Sequence, residues 1–192
     1  MKLRRLAFIL APALVAVTGI APAQAQDAEY NSPIACIYKT LRKPDFPLLV
    51  KIVSQGLVGQ TSAEKAEVDR IGAATHSCRG KYGWGKKKED AALRWFAGHV
   101  LSENTTYELK KFGLDRDKLK AVVARLDAPT RAAYVSGRVS DGQSQATLEA
   151  LKAEGIDFAA LPAEERGHFA QKLSQGILGM VLQIEAEAAF SA

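Results

Sequence analysis

The sequence contains few of the residues that build redox, metal and nucleophilic centres. Its 192 residues include two cysteines and three histidines. It has no Cys-x-x-Cys pair, no haem-attachment motif and no glycine-rich phosphate loop. The nearest approach to a nucleophile elbow, around Ser144, lacks the preceding strand that this motif needs. We therefore assign no catalytic residue, no cofactor and no metal, and the sequence favours a protein without enzymatic activity.

Strand patterns are also missing from the sequence. Apolar and polar residues do not alternate, and β-branched residues are scattered along the chain. Apolar residues instead recur at helical spacing. The last and longest such stripe consists of Phe169, Leu173, Ile177, Val181 and Ile184. The pattern predicts an all-α fold, an irregular bundle of about six to eight helices.

Local signals predict where several helices begin and end. Thr61, with Glu64 three residues later, forms a capping box that opens a helix. Gly80 stands where a left-handed C-cap would end that helix. The next helix begins near Lys86, and the polar and β-branched segment 102–106 predicts a kink or break within it.

Long apolar runs are limited to one, over residues 6–20, directly after the positively charged start of the chain. Ala23 and Ala25 follow it at the small-x-small spacing of a signal-peptidase site. The run is shorter than the ~20 residues that span a bilayer. We therefore predict that residues 1–25 are a cleavable signal peptide and that residues 26–192 form a single helical domain.

The excess of basic residues is small once the predicted signal peptide is removed. The chain has 26 lysines and arginines against 21 acidic residues, and three of the basic residues lie within the first 25 positions. The predicted mature chain thus has 23 basic and 21 acidic residues, a net charge of +2, which gives no reason to expect a nucleic-acid partner. We expect a periplasmic or secreted protein without a transmembrane anchor, because no later segment is apolar enough to span a membrane.

Both cysteines, Cys36 and Cys78, lie in the predicted mature chain. In an oxidising compartment such an even pair defaults to a structural disulfide. A bond that closes a loop of this length stabilises the fold by about 4 kcal/mol in the chain-entropy model. A redox-active pair normally sits close together in sequence, which these two residues do not.

A basic segment that also contains aromatic residues runs over residues 79–88. Lysines at the start of a helix oppose the helix dipole, whereas an anion there would meet free backbone N–H groups as well as lysine charge. The functional interpretation of this basic corner is a site for an anion or an anionic partner, with the tryptophan stacking on a sugar or ring. Its residues are Arg79, Lys81, Trp84, Lys86, Lys87 and Lys88. The simpler interpretation, which the pattern favours because charge runs are usually solvated, is a loop in which Tyr82 and Trp84 anchor the corner beside the disulfide.

A second group of polar residues lies on two later helices. His99, Glu103 and Tyr107 share one helix face, at positions i, i+4 and i+8. Such a row would bind a metal or transfer a proton, but it offers only one good metal ligand beside a carboxylate. Glu165 and His168 form a Glu-x-x-His pair, which helical di-iron proteins use twice, and the sequence has no second pair. The simpler interpretation of all five residues is surface pairing along the helices.

The sequence thus leaves two classes of function open. The favoured one is an exported, non-enzymatic binding or interaction module whose partner is a protein, an anionic component of the cell envelope or a small apolar ligand held between helices. The alternative is a periplasmic hydrolase or metal-dependent enzyme, with a site assembled from His99, Glu103 and His168. Convergence of these three side chains in the fold would favour the enzyme.

Overall fold

The computed structural model describes residues 32–41 and 44–192, and the predicted signal peptide lies outside these described residues. Every regular element in them is helical. In chain order the α-helices are α1 (Cys36–Thr40), α2 (Phe46–Ser54), α3 (Ser62–Tyr82), α4 (Lys86–Leu109), α5 (Arg116–Arg125), α6 (Ala128–Ser136), α7 (Asp141–Ala153) and α8 (Ala163–Ser191). Short 3₁₀ turns occupy Pro33–Ala35, Lys110–Phe112 and Phe158–Ala160. The all-α prediction is confirmed.

The N-terminal end of α3 follows the sequence prediction, whereas its C-terminal end does not. Thr61 and Glu64 form the expected capping box. The helix continues past Gly80, however, and ends at Gly83, which adopts the left-handed conformation with φ +63°. Placing the C-cap at Gly80 was therefore wrong, because a second glycine three residues later takes the positive φ.

A buried carboxylate joins α2 to the start of α3. Lys51 Nζ of α2 lies 2.6 Å from Glu64 Oε1. The backbone N–H groups of Gln60 and Thr61 donate to Glu64 Oε2, at 2.7 and 3.1 Å. The bond from Lys51, followed by the two backbone bonds, lowers the pKa of Glu64 from 4.5 to about 2. The carboxylate thus stays charged and fixes the loop between the two helices.

Helix α4 runs without interruption from Lys86 to Leu109, so the predicted break within residues 102–106 was wrong. Ser102 and Thr105 are fully buried there. The Thr105 hydroxyl donates to the carbonyl of Lys172 on α8, at 2.9 Å. Tertiary packing therefore outweighs the low helix propensity of this segment.

Helices α4 and α8 form the antiparallel central pair of the fold, and glycines bring their backbones together. A Cβ atom built on Gly179 of α8 would lie 2.6 Å from the carbonyl oxygen of Gly98 on α4. One built on Gly176 would lie 2.5 Å from Thr105 Cγ2. Only glycine permits this close approach.

The apolar core consists of two clusters that share this central pair. The first contains Ile37 and Leu49 from the N-terminal helices and Trp95 and Phe96 from α4. The second cluster is built mainly from residues after position 108, among them Leu109, Leu114, Leu119, Leu151, Phe169 and Ile177. Both clusters pack against α4 and α8, so these two helices are the scaffold on which the other helices pack.

The disulfide between Cys36 and Cys78 is present, as predicted. It ties α1 to the last turns of α3. Within the described ranges, no helix combines the length and the hydrophobicity needed to cross a membrane.

Candidate functional site

A buried polar centre lies where α4, α5 and α8 meet. Gln183 of α8 is only 2% exposed, and Ser102 of α4 is fully buried. Gln183 Nε2 donates to Ser102 Oγ at 2.8 Å, and Arg116 Nη2 donates to Gln183 Oε1 at 2.8 Å. Arg116 Nη1 also lies 3.4 Å from Glu103 Oε1. The guanidinium of α5 is therefore held by polar groups on both central helices.

The chain before α5 places Arg116 in this position. Gly113 adopts φ +80° and turns the chain after α4. Leu114 is then fully buried, and the Asp115 side chain caps α5 by accepting from Lys118 N at 2.9 Å. Arg116 is consequently the first residue of α5 and faces back toward α4 and α8.

His99 lies beside the polar centre and is enclosed by aromatic rings. Its imidazole stacks on Trp95, with ring centroids 4.9 Å apart, and meets Tyr38 edge-on at 4.5 Å. Burial, and then the charge of Arg116, lower its pKa from 6.5 to about 3. Burial, and then the charge of Glu103, raise the pKa of Tyr38. Both rings are therefore neutral near pH 7, which suits packing better than proton transfer.

This environment predicts that the protein loses stability as the pH falls below about 6.5. The unfolded chain protonates His99 near pH 6.5 and the folded chain only near pH 3, so the unfolded state binds more protons in between. The free energy of unfolding should fall by up to about 1.4 kcal/mol for each pH unit in this window. Urea denaturation at pH 7, 6 and 5 measures the slope.

A His99→Gln variant should show a flatter pH dependence than the wild type between pH 6.5 and 5, although it is less stable at pH 7. His76→Gln, which alters an exposed histidine on α3, serves as the matched control for replacing a histidine and should keep the wild-type slope. Equal slopes for the wild type and His99→Gln would show that another group causes the acid sensitivity.

A cleft of about 310 Å³ opens directly over the polar centre. Arg116 and Lys120 of α5 line one wall, and Gln183 and Glu187 of α8 line the other. Trp95 Nε1 donates to Glu187 Oε1 at 3.0 Å and holds that carboxylate in place. The two walls therefore carry opposite charges, with buried hydrogen bonds beneath them.

Three residues of the predicted basic corner, Trp84, Lys87 and Lys88, line a second hollow, of about 460 Å³, whereas Arg79, Lys81 and Lys86 lie outside its lining. Trp84 is only 4% exposed. It stacks on Tyr82 with centroids 5.7 Å apart and meets Phe190 edge-on at 5.5 Å. The indole therefore forms the inner floor of the corner, and Tyr82, which is 42% exposed, forms its outer aromatic surface.

The cations of the basic corner fall into two sets. Arg79 lies 3.2 Å from Glu89, and Lys86 lies 2.7 Å from Asp90. The second set is exposed and forms no ion pair with the described residues; it consists of Lys81, Lys87 and Lys88. Lys88 Nζ lies 5.4 Å above the Phe190 ring. Three positive charges at this corner therefore face solvent without an ion-pair partner among the described residues.

The five residues of the second predicted group do not converge. Glu103 joins the polar centre beside His99, but Tyr107 is 82% exposed. Glu165 pairs with Lys111 at 2.6 Å, and His168 pairs with Glu108 at 3.2 Å. Glu108 is nine residues beyond His99 on α4, which is about 13 Å along the helix axis. Within residues 32–41 and 44–192, no three His, Cys, Asp or Glu side chains are placed to hold a metal.

Sequence reasoning missed Arg116 and Gln183, the two residues that build the polar centre. Gln183 lies three residues after Met180 and seven after Gly176, so it interrupts the buried face of α8 with a polar side chain. This polar residue within a buried face was the sequence feature that could have indicated the polar centre. Ile184, which was predicted to point into the core, is 39% exposed instead, so this part of the stripe was wrong. The true face of α8 is rotated by one residue toward Gln183.

Comparisons with known proteins give no independent assignment of these surfaces. No family model matches the chain, and no curated protein or solved structure is significantly similar to it. Function is therefore inferred from the chemistry of the polar centre, the cleft and the basic corner themselves.

Proposed function

We propose that the protein is an exported, non-enzymatic binding module that contacts an anionic surface of the cell envelope through its basic corner. The observation that carries this proposal is a set of three exposed lysines, Lys81, Lys87 and Lys88, which form no ion pair with the described residues. Lys87 and Lys88 line the hollow whose floor is Trp84. The disulfide between Cys36 and Cys78 supports export, since such bonds persist in oxidising compartments.

The chemistry of the corner suits an anionic interface. Lysine stems cover apolar surface while their ammonium groups remain in water, and an exposed tyrosine such as Tyr82 combines an apolar ring with a polar tip. Gly85, the N-cap of α4, provides no side-chain cap, so the first backbone N–H groups of that helix add to the positive field. Each lysine near an anionic membrane surface contributes about 1 kcal/mol of binding.

The alternative of a hydrolase or metal-dependent enzyme gains no support from the geometry. His99 is held neutral, with a pKa of about 3, and is packed between two aromatic rings. His168 pairs with Glu108, about 13 Å farther along α4. His168 is thus not brought within hydrogen-bonding reach of His99, so the three residues on which that alternative depends do not meet in one site.

Co-sedimentation with lipid vesicles tests the proposal. We expect the purified protein to bind vesicles that contain phosphatidylglycerol but not vesicles of phosphatidylcholine alone. The combined variant Lys81→Gln/Lys87→Gln/Lys88→Gln should bind about 100-fold more weakly, because three contributions of about 1 kcal/mol are lost. Binding by the wild type should also weaken as the salt concentration rises.

A charge-matched control separates the corner from the net charge of the protein. The variant Lys110→Gln/Lys118→Gln/Lys152→Gln removes three lysines that form no ion pair with the described residues and lie away from the corner. It should retain most of the binding. The corner is rejected as the docking surface if the two triple variants lose vesicle binding equally. It is also rejected if the wild type does not bind vesicles that contain phosphatidylglycerol.

A further inference from the structure

We propose that the cleft between α5 and α8 binds a small zwitterion, namely an amino acid with an aliphatic side chain. The cleft is separate from the basic corner, and neither set of lining residues includes a member of the other. This inference therefore does not depend on the envelope contact proposed above.

The charges on the two walls set the chemistry of the ligand. Glu103 lies 3.4 Å from Arg116 and offsets part of its charge from below. The outer pair that remains consists of Lys120 on α5 and Glu187 on α8, one turn beyond Arg116 and Gln183 respectively. A ligand carboxylate would meet Lys120 and the field of Arg116, while a ligand ammonium would meet Glu187. A molecule with both groups satisfies both walls at once.

Three of the polar groups of the cleft, Arg116, Gln183 and Glu187, are held in place before any ligand arrives. Gln183 and Ser102 fix Arg116 through bonds of 2.8 and 3.3 Å. Trp95, which is fully buried, fixes Glu187 through its indole N–H at 3.0 Å. Preorganised groups of this kind lose little conformational entropy on binding, which favours a small ligand with few contacts.

Apolar residues complete the lining and explain the preference for an aliphatic side chain. Ile34 and Met180 are buried beneath the cleft, and Ile184 is a large hydrophobic residue left partly exposed at its edge. A volume of about 310 Å³ is at the lower end of the range for ligand cavities. The space therefore suits a single amino acid rather than a cofactor or a long peptide.

Isothermal titration calorimetry with three related probes tests the proposal. The first probe is L-leucine, the second is 4-methylpentanoate, which lacks the ammonium group, and the third is 3-methylbutylamine, which lacks the carboxylate. We expect L-leucine to bind and each analogue to bind at least about tenfold more weakly, because one charge-assisted contact is lost.

Single variants assign each ligand group to one wall. Lys120→Gln should remove the preference for L-leucine over 3-methylbutylamine, and Glu187→Gln should remove the preference over 4-methylpentanoate. Glutamine at position 187 keeps a carbonyl that accepts from Trp95, and Lys120 is exposed, so both variants should fold. Lys118→Gln and Glu185→Gln are the matched controls on the same two helices, since neither residue lines the cleft, and both should behave as the wild type.

Two outcomes would overturn the proposal. The first is a wild type that gives no binding heat with L-leucine, and the second is a Lys120→Gln or Glu187→Gln variant with unchanged preferences.

Discussion

Replacing Gly179 by alanine should lower the free energy of unfolding by about 3 kcal/mol, although alanine is the better helix former. The new Cβ would lie 2.6 Å from the Gly98 carbonyl oxygen and 2.8 Å from the Ser102 backbone nitrogen. Both of these are backbone atoms of α4 and cannot rotate away as a side chain would. The two central helices must therefore separate, and the core clusters on either side of them loosen together.

Gly167→Ala provides the matched control for this prediction, because Gly167 lies on the same helix and its built Cβ has no atom within 4 Å. This substitution should stabilise the protein by about 0.5–1 kcal/mol through helix propensity alone. Thermal denaturation followed by circular dichroism should place the melting temperature of Gly179→Ala roughly 6–12 °C below that of the wild type. Equal melting temperatures for the two variants would mean that a Cβ atom at position 179 fits between α4 and α8 without separating the two helices.

The same substitution should disturb the polar centre, since the spacing of α4 and α8 sets its hydrogen bonds. Gln183 Nε2 reaches Ser102 Oγ at 2.8 Å and the Gly179 carbonyl at 3.3 Å. A wider gap between the helices lengthens the first of these bonds and releases the guanidinium of Arg116 that Gln183 holds. Gly98 and Gly179 thus determine the position of Arg116 in the cleft through the spacing of α4 and α8, although neither glycine lines the cleft.

The features that the sequence predicted correctly depend on short local patterns or, for the disulfide, on composition and compartment. The capping box at Thr61 and Glu64 needs only a hydroxyl, a carboxylate and a backbone turn within four residues. The lack of alternating apolar and polar residues, which is also a local pattern, excluded strands. The disulfide followed from the presence of two cysteines and the predicted compartment.

The features that it missed depend on contacts between helices. Residues 54–59 and 174–179 have nearly the same sequence, yet Gly56 turns the chain after α2 with φ +75°, whereas Gly176 and Gly179 pack inside α8. Nearly the same local sequence therefore produced a turn in one place and a helix interface in the other, because only the glycines of the second segment pack against α4.

The two candidate sites differ in the same way, because one is continuous in sequence and the other depends on contacts between helices. The basic corner is a continuous stretch of sequence, so its charges could be recognised directly. Arg116 and Gln183 are 67 residues apart, and neither belongs to a motif. Their meeting follows from the close packing of α4 and α8 and from the turn at Gly113, which the sequence alone does not specify. A polar residue on an otherwise buried helix face remains the best sequence indicator of such a centre.

Removal of the disulfide should cost about 4 kcal/mol, the largest single loss that we expect from a pair of substitutions. Cys36 and Cys78 are 42 residues apart, so the bond removes much of the conformational freedom of the unfolded chain. Helix α1 has only five residues, too few to persist by itself. We therefore expect Cys36→Ala/Cys78→Ala to expose Ile34 and Ile37 first, because the segment that contains them loses its covalent attachment to α3.

Urea denaturation with and without reductant measures the effect. The reduced wild type and the double alanine variant should unfold at similar urea concentrations, both well below the midpoint of the oxidised wild type. Thr40→Val is the control for local contacts, since Thr40 Oγ1 lies 3.5 Å from Cys78 Sγ. It should cost less than about 1 kcal/mol in the oxidised protein, as expected for a single hydroxyl contact.

Hydrogen exchange then distinguishes a local effect of the bond from a global one. If the bond mainly restrains α1, the amides of residues 34–41 lose protection in the reduced protein while those of α4 and α8 keep theirs. Uniform loss of protection would instead show that α1 is essential to the first core cluster. A loss of about 4 kcal/mol is large against the 5–15 kcal/mol that keeps a typical domain folded. An oxidised midpoint no higher than the reduced one would therefore show that the bond does not stabilise the fold.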